Sequence, residues 1–242
     1  MPRLTIVLVE PRIPANIGMV CRAMANFDIS RLRLVNPCDH HDAMAHKLAV
    51  GAAPLLDRAQ CYDSLEASLE YMHLSVAATR RAGRHRGQLL ELPAFAQSLS
   101  RYPEDFDLAL VFGREDSGLT RDEVEQCQQA VTVQTSQALG SLNLAQAVLL
   151  FLYELSSAPP GISATRAYPR HAETTAFCES VQQLLQRVAF LNPQRPDAMM
   201  QPLKRILNRA NPDIDEFNLL RSMFSQLAES ARDWRGKRRG KG

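Results

Sequence analysis

The chain has 242 residues, 45% of them hydrophobic and 22% charged, with a net charge of +2. That balance suits a soluble protein with a sizeable core and excludes a polycation. Five cysteines (Cys21, Cys38, Cys61, Cys127, Cys178) form no CxxC pair, which argues against a zinc site and a disulfide framework and fits a reducing, cytoplasmic setting, while no apolar run is long enough to cross a membrane or read as a signal peptide.

In chain order, Leu4–Val9 predicts a strand, and Asn16–Phe27 a helix with Asn16 as its N-cap and Arg22 projecting from the second turn. A strand at Leu32–Val35 is followed by helices at Asp42–Val50 and Ser64–Tyr71; His40-His41 between them reads as a loop pair rather than a metal site. Leu74–Ala78 predicts the next strand. Four arginines, Arg80, Arg81, Arg84 and Arg86, then cluster with His85 around Gly83 and Gly87. A helix at Leu92–Ser100 leads to Leu108–Phe112, a run without a polar residue, as expected of a strand buried on both faces of a parallel sheet. The charged turn Gly113-Arg114-Glu115-Asp116-Ser117-Gly118 follows it, where ligands bind in such sheets, although a solvated turn has the same composition. Helix Arg121–Gln126, strand Val131–Val133 and the apolar helix Asn143–Leu155 complete the alternation, with Ser141 or Asn143 as the last helix's cap. The alternation predicts an α/β fold with a mainly parallel sheet.

Pro159-Pro160-Gly161 reads as a linker, so the expected organisation is an α/β domain over 1–157, a linker over 158–172 and a helical extension over 173–242. Apolar residues recur at helical spacing from Phe177 to Val188 and from Ile214 to Leu227. Leu203, Ile206 and Leu207 suggest a third helix, which Pro202 must start or kink. The tail carries Arg232, Arg235, Lys237, Arg238, Arg239 and Lys241. Basic clusters on a near-neutral chain point to a polyanionic partner or to solvated surface.

No GxGxxG, P-loop, HExxH or GxSxG pattern is present. Composition and spacing therefore reach a parallel α/β protein with a site at several strand ends, but no reaction.

Three segments in order supply one. Asn16-x-Gly18-x-x-x-Arg22, Phe112-Gly113-Arg114-Glu115-x-x-Gly118-Leu119 and Ser141-Leu142-Asn143-Leu144-Ala145 resemble the motifs of SPOUT (SpoU/TrmH-like) RNA 2′-O-ribose methyltransferases. The helical C-terminal part, with Leu203-Lys204-Arg205-Ile206-Leu207 and Asn218-Leu219-Leu220-Arg221, is similar to the TrmJ type. The resemblance implies a trefoil knot late in the α/β domain, S-adenosylmethionine as methyl donor, no metal and a homodimer. It implies tRNA as substrate, methylated on the ribose 2′-hydroxyl of an anticodon-loop nucleotide, tRNA position 32. Donor-binding residues would be Ala78, Thr79, Arg80, Gly113, Val133, Gly140, Ser141 and Leu142. Arg80 stands where small polar residues are common in the family, which leaves a place on the RNA path open for it. Arg22 would be catalytic, with Asn16 and Glu115 holding it or the ribose and Ser141 orienting the hydroxyl or the donor. Arg81, Arg84, Arg86, Lys204 and Arg205 would meet RNA. A non-catalytic RNA-binding protein on the same scaffold, or an enzyme acting on another RNA, remain as alternatives.

Overall fold

A computed structural model describes residues 2–80, 89–136, 140–158, 166–192 and 194–232. The chain divides into two compact units, Met1–Thr165 and Arg166–Gly242.

Among the described residues, the first unit is built on seven parallel strands: β1 (Arg3–Val9), β2 (Arg31–Val35), β3 (Gln60–Tyr62), β4 (Leu74–Ala78), β5 (Leu90–Glu91), β6 (Asp107–Phe112) and β7 (Gln129–Thr132). Their order across the sheet is β3-β2-β1-β6-β4-β7-β5, and each neighbouring pair is parallel. β6 is buried at all six positions, as its unbroken apolar run predicts. The short edge strands β3 and β5 were not expected from the pattern. Asp107, at the start of β6, pairs with Arg3 and Arg31, both at 2.7 Å, and ties together the amino ends of the adjacent strands β6, β1 and β2.

Among the described residues, the α-helices that flank the sheet are α1 (Pro14–Ala25), α2 (Ala43–Ala49), α3 (Ala53–Asp57), α4 (Leu65–Leu69), α5 (Leu92–Ser98), α6 (Arg121–Gln126) and α7 (Leu144–Ser156). On one face Val7, Val9, Ala109 and Val111 pack with Leu65 and Leu69 of α4 and Val124 of α6. On the other, Phe112 meets Phe151 of α7 edge-on, with centroids 5.2 Å apart. α7 buries Leu144, Val148, Phe151, Leu152 and Leu155 but leaves Leu149, Leu150 and Tyr153 exposed.

Two readings of α1 are corrected. The helix starts at Pro14, two residues before the predicted start, with Ile13 as N-cap. Proline at the first helical position needs no hydrogen-bonded N–H, so it opens the helix early. Asn16 is therefore inside the helix and buried, and it is not a cap. Gly18, on the same helix, faces α2 so closely that a Cβ there would sit 2.1 Å from the Ala45 carbonyl oxygen. Gly18→Ala is expected to force the two helices apart and cost roughly 1–3 kcal/mol, read as a lower urea midpoint with an unchanged slope.

Among its described residues the second unit holds three helices, as expected: α8 (His171–Arg187), α9 (Asp197–Ala210) and α10 (Ile214–Ser230). Their core is Phe177, Val181, Leu191, Met200 and Phe217. Asp213 caps α10 in a reciprocal box with Glu216. Pro202 lies within α9 rather than at its start. The linker residues Pro159, Pro160 and Gly161 and the tail from 233 onward lie outside the described residues.

Candidate active site

The carboxyl ends of β4, β6 and β7 open into one cleft of about 290 Å³, near the size that holds a small ligand. Its walls come from three segments: Ala78, Thr79 and Arg80 after β4; Phe112 to Leu119 after β6; and Val131, Thr132, Val133 and Thr135 with Gly140, Ser141, Leu142 and Leu144 at and after β7. All eight residues expected to hold the donor line this cleft. The residue types make its walls partly apolar, with hydroxyls at Thr79, Thr135 and Ser141 and a cation at Arg80. The Thr135 hydroxyl donates to the Gly140 carbonyl at 3.1 Å, closing the base of the last loop. Arg80 lies over Gly140 so closely that any side chain at 140 would collide with its guanidinium. Gly113 is required for a different reason: a Cβ there would sit 2.2 Å from the Gly118 backbone. The turn folds back on itself through paired hydrogen bonds between Arg114 and Gly118, and Gly118 adopts φ +70°.

Arg114, a site candidate by position, is a structural clamp. Its guanidinium, 9% exposed, is held by Glu10 at 2.7 Å and by both carboxylate oxygens of Glu123 at 2.9 and 3.0 Å. Hydrogen bonds from Glu123 and then Glu10 push its pKa still higher, so it stays charged. Glu10 and Glu123 were not expected here. Glu123 carried a local signal, because Thr120-x-x-Glu123 forms a capping box on α6. Glu10 carried none beyond ending its strand. It sits in the left-handed region, φ 46°, at the end of β1, and its carboxylate reaches across to Arg114.

Glu115 turns the other way. One carboxylate oxygen accepts from Ile13 N at 3.1 Å and Asn16 Nδ2 at 2.9 Å; the other accepts from Arg12 N at 3.0 Å. Burial works to raise its pKa, but the hydrogen bonds from Asn16 and the backbone outweigh it and hold the carboxyl below its usual range. Asn16 in turn accepts from Asn143 Nδ2 at 2.9 Å. Asn143 completes the relay as the N-cap of α7, accepting from Ala145 N and Gln146 N. Of the two expected cap candidates, Asn143 takes that role and Ser141 is left facing the cleft. One line of side chains thus ties the loop after β1, the turn after β6 and the start of α7.

Arg22 stands apart from this line. It is exposed in the last turn of α1 and does not line the cleft, and its side chain has no hydrogen-bond or ion-pair partner among the described residues. Asn16 and Glu115 hold each other rather than Arg22. Arg81, Arg84 and Arg86 lie outside the described residues. Lys204 and Arg205 follow one another on α9 of the second unit, with Lys204 half-buried near His171. Burial first, and Lys204 second, hold the His171 pKa below its usual value.

A profile of the SpoU rRNA Methylase family matches residues 3–153, and one of the tRNA methyltransferase TrmJ C-terminal domain matches residues 172–236. A protein of Pectobacterium atrosepticum named tRNA (cytidine/uridine-2′-O-)-methyltransferase TrmJ is 33% identical over 238 residues, covering 95% of this chain and 98% of its own. The protein of the same name from Klebsiella pneumoniae is 32% identical over the same span. Among solved structures, TrmJ from Zymomonas mobilis ("Z. mobilis ZM4") superposes with a TM-score of 0.79 at 28% identity, covering 94% of this chain and 99% of that one. A probable methylase family protein from Haemophilus influenzae gives 0.60 at 28% identity, covering 96% and 98%.

Proposed function

From the premise that this chain belongs to the SpoU rRNA methylase family, with a TrmJ-type C-terminal domain, we propose that it is a tRNA 2′-O-ribose methyltransferase using S-adenosylmethionine. The nucleotide it modifies is in the anticodon loop. The observation that carries this reading is one cleft into which the loops after β4, β6 and β7 converge, the last two bearing the motifs at 112–119 and 141–145, in a chain matched along nearly its whole length by relatives named for this reaction.

The residues present fit the donor. The cleft offers an apolar wall for the adenine and hydroxyls for the ribose and the amino-acid part. It also offers a guanidinium, that of Arg80, for the carboxylate. S-adenosylmethionine supplies an electrophilic sulfonium methyl when bound. Ser141 stands at the cleft wall to orient the hydroxyl or the donor. Transfer requires the ribose oxygen, methyl carbon and sulfur in line, and removal of the hydroxyl proton. Glu115 is a poor acceptor for that proton, because three donors hold it ionised with a lowered pKa. Its part is to position the loop after β1. Arg22 is the residue we assign to the reaction. A guanidinium is a weak base, so its role is to orient the hydroxyl and adjacent phosphate and to stabilise the developing alkoxide.

Arg22 lies outside the cleft of its own chain, and α7 exposes the apolar stripe Leu149, Leu150 and Tyr153. Both features support a homodimer in which that stripe is covered and Arg22 of one chain serves the cleft of the other. In this reading the basic residues of both units meet the tRNA phosphates.

The reaction is tested by incubating the full chain with methyl-tritiated S-adenosylmethionine and unmodified tRNA transcripts. The expected product carries label in one anticodon-loop fragment and resists alkaline cleavage on the 3′ side of the labelled nucleotide. No incorporation, or label on a base, overturns the reading.

A further result is expected of the arginine cluster that includes Arg84 and Arg86. Phosphate contacts release counterions, so each one lost flattens the log–log salt dependence of binding by about 0.7–0.9. The double variant Arg84→Ala, Arg86→Ala is expected to bind tRNA more weakly and with a flatter slope while keeping S-adenosylmethionine affinity. Unchanged affinity and slope would place the RNA path elsewhere.

A further inference from the structure

On the first unit, away from the cleft walls, the loop before α2 and the helices α2 and α3 bring two imidazoles and a carboxylate together. One donor atom from each of His41, His46 and Asp57 lies within 4.8 Å of the other two. His41 Nδ1 is 3.9 Å from Asp57 Oδ1. The His41 and His46 rings stack with centroids 6.1 Å apart and only 23° between planes. The neighbouring carboxylates are already engaged in building the loop. Asp39 accepts from His41 N at 3.0 Å, and Asp42 caps α2 by accepting from Met44 N at 2.7 Å. They fix the backbone that carries both histidines and leave Asp57 as the carboxylate facing them.

We propose that His41, His46 and Asp57 form a binding site for a divalent first-row transition-metal ion, zinc foremost. Two imidazoles and one carboxylate suit zinc, cobalt or nickel, whereas calcium and magnesium require oxygen donors throughout. Bonds of roughly 2.0–2.1 Å in a tetrahedron place donors about 3.4 Å apart. The present separations need shifts on the order of 1 Å to reach that. Side chains with 54% (His41) and 61% (Asp57) exposure have the room to make them. Three protein donors leave a position for water. An ion there would join the loop, α2 and the end of α3, and α2 is the helix on which α1 rests at Gly18. The site is independent of the methyltransferase reading.

The test uses the untagged full chain, stripped with chelator and titrated with Co²⁺. One equivalent is expected to bind with the visible d–d absorption of a low-coordinate ion, and Zn²⁺ is expected to bleach it. The double variant His41→Ala, His46→Ala is expected to lose at least about 10-fold in affinity, and Asp57→Asn to weaken binding as well. Each should keep the wild-type circular dichroism and S-adenosylmethionine affinity. Cys61→Ser reports on the nearby pair in which Cys61 Sγ lies 4.0 Å from His40 Nε2; it is expected to change nothing. Absence of Co²⁺ uptake by the wild type overturns the site, as does wild-type affinity in the double variant. Loss of binding in Cys61→Ser overturns this donor set.

Discussion

Arg22→Ala is expected to lower the rate of methyl transfer by about 10²–10³ while leaving S-adenosylmethionine affinity within about two-fold of wild type. The separation follows from geometry. The cleft is walled by the loops after β4, β6 and β7, whereas Arg22 projects from α1 and is not among the residues that line it. Nor does any described carboxylate depend on Arg22 for charge balance, so its removal leaves no unpaired buried group and the fold is expected to keep its stability. Single-turnover rates and donor calorimetry on the same samples check both halves. If donor affinity falls in step with the rate, Arg22 belongs to the donor site and its assignment to the ribose is wrong. If neither changes, alkoxide stabilisation comes from another group. The proposed homodimer gives a second readout: mixing Arg22→Ala chains with chains disabled in the donor cleft is expected to restore part of the activity, because one composite site would then be intact.

Legibility of this fold tracks how much of each element is determined by its own residues. The run Leu108–Phe112 declares a central strand because every position is apolar, and β1, β2 and β4 follow the same logic. β3 and β5 escape it because three and two residues on a sheet edge carry no periodicity, and α3 because it is five residues long. The misreading of Asn16 is more instructive. Asparagine before an apolar run is a sound capping signal, but Pro14 is a competing one, and it sets the start. What Asn16 does instead depends on Glu115 and Asn143, 99 and 127 residues away. No local rule relates such positions. Arg114 and Glu115 show the same limit. Adjacent in sequence at a strand end, both read as site residues, yet one is clamped between Glu10 and Glu123 and the other anchors α1. The reaction itself came from the ordered motifs, since nothing in charge or periodicity distinguishes methyl transfer from other chemistry at the end of a parallel sheet.

Glu115→Ala is expected to cost activity and stability together. It removes the acceptor for three donors, Arg12 N, Ile13 N and Asn16 Nδ2, and Asn16 is buried with 3% exposure. A buried donor left without a partner costs about 1–3 kcal/mol, so a loss in that range is expected by urea unfolding near neutral pH. The loss has a pH signature with a definite sign. The folded carboxyl titrates below its ordinary value of 4.5, so its stabilisation is present above that value and is lost as pH falls through the lower folded pKa. The gap between wild type and variant is therefore expected to be full at neutral pH and to narrow below about 4.5. Activity should fall even where the variant is folded, because the relay from Glu115 through Asn16 to Asn143 sets the loop after β1 against the start of α7. Glu115→Gln retains one oxygen for Asn16 and Ile13 and is expected to recover part of the stability, but it sets an amide N–H₂ against Arg12 N. A variant folded and stable as wild type with full activity would show that the relay does not position the site. A variant whose stability deficit is the same at every pH would show that the deficit is not electrostatic.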